Sequence, residues 1–241
     1  MLGISVATLT TWGLRLAIAA PVIALVPLAL FRFGVMDFRL PLLGVALAVL
    51  LAIVALLMGV MALIGGYGGD GVYTQKAVIA VVLAVVVLYA PLSTLRKGGN
   101  VPPIHDISTD LDNPPVFVAV PALRAASDNS LEIKAEVQAQ QKAFYTELAP
   151  KRLDGSPKDN FAKAVAGAEA MGWDIVAQDA SAGTLEATAT TALFGFKDDV
   201  SIRLSADAGA TKVDMRSVSR VGVSDLGANA ARIEAYFAAL N

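Results

Sequence analysis

The sequence predicts a membrane part of three transmembrane helices followed by an α+β domain, a four-stranded antiparallel sheet packed with helices. Three observations carry this reading. Of the 241 residues 56% are hydrophobic and 17% charged, with a mean hydropathy of +0.61, against about 45–50% and about 25% in soluble domains. Charge is also segregated: residues 1–95 hold only Arg15, Arg32, Asp37, Arg39, Asp70 and Lys76, whereas residues 96–241 hold 15 basic and 19 acidic side chains. Finally, beyond residue 131 the apolar period begins helical and then switches to two.

In the first part, Leu16 to Phe31 is uncharged and bracketed by Arg15 and Arg32. Its 16 residues span about 24 Å as a helix, and the two arginines can snorkel to reach the roughly 30 Å of a hydrocarbon core. Pro21 and Pro27 are tolerated in such a span. Leu40 to Gly69 is uncharged over 30 residues, and Ala77 to Leu95 over 19 before Arg96-Lys97. The expected spans are near 14–32, 41–64 and 77–95, making residues 1–97 the transmembrane region. Residues 1–14 carry no basic side chain, which argues against a cleaved signal peptide. The glycine-rich stretch 65–71 lacks the Gly-Lys-Ser/Thr ending of a phosphate loop and reads as a turn between spans. Positive charge is biased four to two, Arg32, Arg39, Arg96 and Lys97 against Arg15 and Lys76, toward a cytoplasmic C-terminal domain.

Residues 98–130 read as a linker, because Pro102, Pro103, Pro114, Pro115 and Pro121 favour extended, irregular chain. Residues 131–241 read as the soluble domain. Ile133, Val137, Phe144 and Leu148 mark one helix face ending before Pro150. Ser156 and Pro157 start a second helix with the stripe Phe161, Val165, Ala168 and Met171, and Gly172 suits its left-handed exit. Four alternating runs follow, around Ile175, Leu185–Ala189, Val200–Leu204 and Val213–Met215, joined by short turns that favour an antiparallel meander. A last helix is expected from about Asp225 to Leu240, capped by Ser224, with Leu226, Ala230, Ile233, Phe237 and Leu240 on one face.

Several chemistries are excluded by composition. With no cysteine, disulfides, zinc–thiolate sites, iron–sulfur clusters and thiol nucleophiles are ruled out. The single histidine, His105, rules out a two-histidine metal centre, and a net charge of −2 offers no footprint for nucleic acid. Asp106, Asp110 and Asp112 cluster beside His105 and Asn113 but lack the calcium-loop pattern, so neither a metal nor a cofactor is expected. Adjacent strand residues point to opposite faces, so Asp198 and Asp199 cannot share a proton as a catalytic pair. No Gly-x-Ser-x-Gly motif appears.

If the apolar strand positions face the helices, the other sheet face carries Glu186, Thr188, Thr190, Ser201, Arg203, Asp214 and Arg216 as a solvated surface. Arg216 and Arg220, near the helix start at Ser224 and Asp225, suggest an anion site. Asn229 and Arg232 lie on the same flank of the last helix as Asp225. The candidate ligand-binding set is therefore Arg203, Arg216, Arg220, Ser224, Asp225, Asn229 and Arg232, with Arg216, Arg220 and Asp225 expected in one connected cluster. The competing expectation is that these charges form a structural network pinning the last helix.

The stretches IHDISTDLDNPPVF (104–117), YTELAP (145–150), GWDIV (172–176), FGFKDDVSIRL (194–204) and VDMRSVSRVGVSDLGANAARIEAYFAAL (213–240) resemble the domain of unknown function 1499 family, over about residues 104–241. The spans resemble those of its longer, membrane-embedded bacterial members. That resemblance implies a bacterial inner-membrane protein, and its exported short relatives favour a periplasmic C-terminal domain against the charge count. The expected function is a membrane-anchored binding or assembly module, with the lipid bilayer and a membrane-protein partner or anionic small molecule as partners. The alternatives are a carrier or sensor of a lipid or small anion, which needs a cavity, and a hydrolase.

Overall fold

The computed structural model describes residues 5–65 and 71–240. Apart from its two ends, the glycine-rich turn expected at 65–71 lies outside the described residues. The chain divides into two compact units, Met1–Arg96 and Lys97–Asn241.

The first unit consists of α1 (Val6–Arg32), α2 (Arg39–Gly65) and α3, which begins at Gly71 and runs to Gly98. All three are long and apolar enough to cross a membrane. At 1.5 Å per residue each reaches about 40 Å, more than a hydrocarbon core requires. α1 starts well before the expected span because Ser5 Oγ accepts from Thr8 N at 3.2 Å, and residues 6–14 contain no helix breaker. Small residues make the seams: Ala17 and Ala20 of α1, Ala48, Ala52 and Ala55 of α2, and Ala80 and Ala84 of α3 form one buried cluster. Lipid tails are as apolar as leucine, so close backbone approach drives such packing, not water exclusion. Two glycines of α2 are required by it. A Cβ on Gly44 would lie 2.7 Å from the Ile23 carbonyl oxygen of α1, and one on Gly59 would lie 2.8 Å from Val81 Cγ2 of α3.

The second unit contains β1 (Asp106–Ser108), a 3-10 turn (Val120–Leu123), α4 (Ala135–Phe144), β2 (Lys151–Asp154), α5 (Pro157–Ala170), β3 (Asp174–Asp179), β4 (Thr184–Thr190), β5 (Lys197–Asp207), β6 (Ala210–Ser219) and α6 (Ala228–Ala239). The strands form an antiparallel sheet in the order β1-β6-β5-β4-β3, with β2 also paired to β6. β3 to β6 are the expected meander. The sheet has six strands instead of four, because β1 and β2 share the outer edge of β6, taking Arg216–Val218 and Ala210–Val213 in turn. Both were too short to show an alternating pattern. Covering that edge also removes a row of unpaired backbone groups.

The apolar sheet face packs under α5 and α6. Leu185, Val200, Ile202, Val213 and Met215 meet Phe161, Ala164, Ile233 and Tyr236 in a single core. Tyr236 is fully buried, stacks on Trp173 at 5.2 Å and donates to the Ala164 carbonyl at 2.8 Å. Burial pushes its phenol pKa up. Ser156 caps α5 as expected, accepting from Asp159 N.

Two helices depart from expectation. α4 is only ten residues long, starts after the exposed Ile133, leaves Phe144 exposed, and buries a polar residue, Gln141, instead. Gln141 accepts from Ser108 N at 3.0 Å and donates to Ser108 O at 2.6 Å, so it continues the sheet's hydrogen bonding. α6 begins three residues later than expected, after Gly227 in the left-handed region (φ 85°). Ser224 is not its cap; its Oγ accepts from Leu226 N.

The segment expected as a linker at 98–130 is not one. It supplies β1, and Ile104, Ile107 and Val120 are almost fully buried. Beyond β1 it lies across the polar face of the sheet as a third layer, described next.

Candidate functional site

Strand alternation and antiparallel register place Thr188, Asp199, Ser201, Arg203, Asp214 and Arg216 on the face opposite α5 and α6. A solvated face was expected there. Instead Asp199, Asp214, Arg216, Ser201 and Thr188 are all buried, because residues 109–131 cross that face as a strap. Ser201 Oγ donates to Val116 O at 2.8 Å. The Glu186 carboxylate accepts from the amides of Val118, Ala119 and Val120 at 2.7–3.1 Å, fixing the start of the 3-10 turn. At the far end, Asn129 N donates to Arg220 O at 2.7 Å.

Asp199 is the central charge of this seam and is fully buried. Arg220 grips it with two bonds, Nε to Oδ2 at 3.0 Å and Nη2 to Oδ1 at 2.8 Å. Arg124 of the strap bonds Oδ2, and Thr188 Oγ1 donates to Oδ1 at 2.9 Å. Both arginines are completed by strap carbonyls, Arg124 on Asn129 O at 2.6 Å and Arg220 on Leu123 O at 3.1 Å.

Two further charge groups share that face. Arg216 makes a bidentate pair with Asp106 at 2.9 and 2.7 Å, bonds Leu131 O at 2.8 Å, and stacks its guanidinium over Phe117 at 5.4 Å. Arg203 bonds Asp214 at 2.9 Å and Asn113 O at 2.8 Å, and Lys212 bridges Asp110 at 2.8 Å and Asp214 at 3.3 Å. Burial pushes the Asp110 carboxyl up, but the hydrogen bonds from Lys212 and the Asn113 amide outweigh it and leave it below the usual range. The bond to Asp110 raises Lys212 in turn, against its partial burial. Of the acidic cluster at 106–112, Asp106 and Asp110 are thus held by cations of the sheet.

The opposite face holds a separate group. Asn229 is fully buried in α6, accepts from Ser217 Oγ at 2.7 Å and donates to His105 O at 3.1 Å and Ser219 Oγ at 3.0 Å. Arg232 reaches Ser217 Oγ at 3.0 Å and pairs with Asp198. Asp198 and Asp199 therefore point to opposite faces, as the alternation requires, and each meets arginine. Among the described residues Asp225 receives no arginine: its carboxylate accepts from Gly227 N at 2.8 Å and Asn229 N at 2.9 Å, capping α6. Burial pushes its pKa up despite those amides.

The structure accordingly does not bring the seven candidate residues together. Arg203, Arg216 and Arg220 share the strap face but take three different carboxylates. Asn229 and Arg232 lie beneath the other face, and Ser224 and Asp225 shape the turn before α6. The expected single cluster of Arg216, Arg220 and Asp225 is corrected for a steric reason. Arg216 and Arg220 do point to one side of β6, but the helix turn begins on the other, where Asp225 finds backbone amides within reach. Arg124, Asp106, Glu186 and Asp199 complete the seam. Arg124 carried no periodic signal in a Pro-rich run, and its pairing spans 75 residues.

An open depression of about 650 Å³ lies between the start of α5 and the β3–β4 turn, lined by Ser156, Lys158, Ser181 and Ser205 among others. None of the seven residues lines it. A gap of about 10 Å³ beside Asp106, Gln141 and Arg216 is room for about one water.

Residues 106–240 match the model of a family described as a protein of unknown function, DUF1499. No curated protein matches the chain.

Proposed function

The chain belongs to the DUF1499 family, and we propose that it is a membrane-anchored binding or assembly module whose arginine-rich seam is scaffold, not catalytic machinery. One observation carries this reading: Arg203, Arg216 and Arg220 are each engaged by a carboxylate and by a backbone carbonyl of the strap. Guanidiniums already paired and bonded inside the fold are poorly placed to receive an external anion. The seam instead makes one rigid body of strap and sheet, with loops presented from its ends. The carrier reading would need space between helices and sheet, and that interface is filled by Leu185, Ile202, Met215, Ile233 and Tyr236.

We place the module in a bacterial inner membrane with its C-terminal domain on the periplasmic side. The three apolar helices support the anchoring, and the resemblance to exported short relatives supports the side.

Arg220→Ala tests the scaffold reading. It should lower the stability of the domain by about 1–3 kcal/mol, because Asp199 keeps Arg124 but loses a two-point charge-assisted bond. Titration with inorganic phosphate, followed calorimetrically, should give the same weak response in both proteins. An unchanged melt together with loss of saturable phosphate binding would show a ligand site and refute the reading.

A further inference from the structure

We propose that the end of the C-terminal domain formed by the β4–β5 hairpin tip and the β6–α6 loop inserts its apolar side chains into the headgroup boundary of the lipid bilayer. The proposal rests on the anchored reading above and extends it from the helices to the domain.

The first observation is a set of apolar side chains at one end of the sheet, with Leu193, Val223 and Leu226 exposed. The hairpin tip carries Leu193, 55% exposed, and the half-buried Phe194 and Phe196, whose rings stack at 5.2 Å. The tip is ordered by its own backbone: Thr191 N donates to Phe196 O at 2.8 Å and Gly195 N to Thr191 O at 2.9 Å. The loop after β6 carries Val223, 76% exposed, and Leu226, 42% exposed. The two loops leave the same end of neighbouring strands, since Asp198 pairs with Ser219 and Arg220 N donates to Lys197 O at 3.0 Å. Grouped exposed apolar side chains mark an interaction surface, unlike scattered ones.

The second observation identifies the occupant. The chain enters the domain at this same end. Ile104 is buried and its carbonyl accepts from Asp225 N at 3.0 Å; His105 O accepts from Ser219 N at 2.9 Å, and His105 Nδ1 lies 3.2 Å from Val223 O. Only seven residues separate Ile104 from Arg96, where the last apolar run stops. Even fully extended, that stretch reaches no more than about 28 Å. The apolar end is therefore tethered within reach of the bilayer surface, whereas the β3–β4 turn is at the other end of the strands. Exposed Lys197 flanks the tip and complements anionic headgroups. Leucine and phenylalanine beside a cation is the composition of an interfacial contact.

The chain has no cysteine, so single spin labels can be placed without background. The full chain carrying Leu193→Cys, Val223→Cys, Ala182→Cys or Leu50→Cys is labelled and reconstituted in phosphatidylethanolamine–phosphatidylglycerol vesicles. Collisions with oxygen and with a water-soluble nickel complex are then compared. Labels at 193 and 223 should lose nickel collisions and gain oxygen collisions relative to Ala182→Cys on the β3–β4 turn. Free access of nickel at both positions overturns the proposal. Shielding from both reagents also overturns it, by identifying a protein partner or second copy on the patch. The Leu50→Cys label, on an exposed flank of α2, reports the anchoring itself. Nickel access there would defeat the membrane reading, whereas nickel access only at 193 and 223 defeats this inference alone.

Discussion

Asp199→Asn is the most informative single perturbation of the seam. The carboxylate is fully buried and accepts from Arg124, Arg220 and Thr188. The amide keeps the shape and one acceptor oxygen but removes the charge. Two guanidiniums then face each other across a buried site with no counter-charge. A charge pair about 4 Å apart is worth about 4 kcal/mol at an effective dielectric of 20, and breaking a buried pair from one side costs about 3–5 kcal/mol. Because two cations depend on Asp199, the upper half of that range is expected. For a domain of this size that corresponds to a fall in Tm of roughly 10–20 °C. The assay is denaturant and thermal unfolding of the detergent-solubilised full chain in a Trp12→Phe background, followed by the fluorescence of Trp173, which is buried in the core of the domain. Replacing the charged trio together by Asp199→Leu, Arg124→Met and Arg220→Met should recover most of the loss, because no uncompensated charge is left. A cost for Asp199→Asn below about 1 kcal/mol, the value of a surface pair, would refute the reasoning, since it would mean that water reaches the seam.

The remaining predictions concern other parts of the molecule. Gly59→Leu should push α2 and α3 apart, because a Cβ alone already meets Val81 Cγ2 at 2.8 Å; the thermal midpoint of the helical unit in detergent should fall by the equivalent of about 1–3 kcal/mol, and an unchanged midpoint would contradict the packing. The Asp110–Lys212 pair predicts a pH window. Asp110 is depressed on folding, so its contribution is present above its ordinary value of 3.8 and lost as pH falls through the lower folded value. Lys212 is raised, so its contribution is present below 10.5 and lost as pH rises through the higher folded value. Asp110→Asn should therefore flatten part of the acid limb of a stability–pH curve and leave the mid-range shape unchanged; an identical acid limb would refute the assignment. Alkaline phosphatase fused after Asn241 should be active and the same enzyme inserted at Gly69 inactive, and signals of one kind at both positions would remove a span.

Local chemistry was enough to determine much of this protein. Uninterrupted apolar runs between Arg15 and Leu95 have only one low-energy environment, so the three helices were legible as spans. Period-two alternation placed Leu185, Ile202 and Met215 toward the helices and Asp199, Arg203 and Arg216 away from them, and the same parity separated Asp198 from Asp199. Ser156 and Pro157 announced α5 through hydrogen bonds within four residues. What required tertiary structure was every feature whose partner is distant in sequence. β1 and β2 have three and four residues, too few for a period, and exist because β6 offers an unpaired edge. The strap between residues 109 and 131 has no period at all; its prolines specify extended chain but not what the chain lies on. Its place is decided by Asp199, Glu186 and Arg216, buried charges of the sheet that must find partners or remain in water. The same need moved Asp225 from the arginines to the amides of α6. Composition and alternation could say which side of the sheet each charge would occupy, but only the folded chain could say that this side was covered.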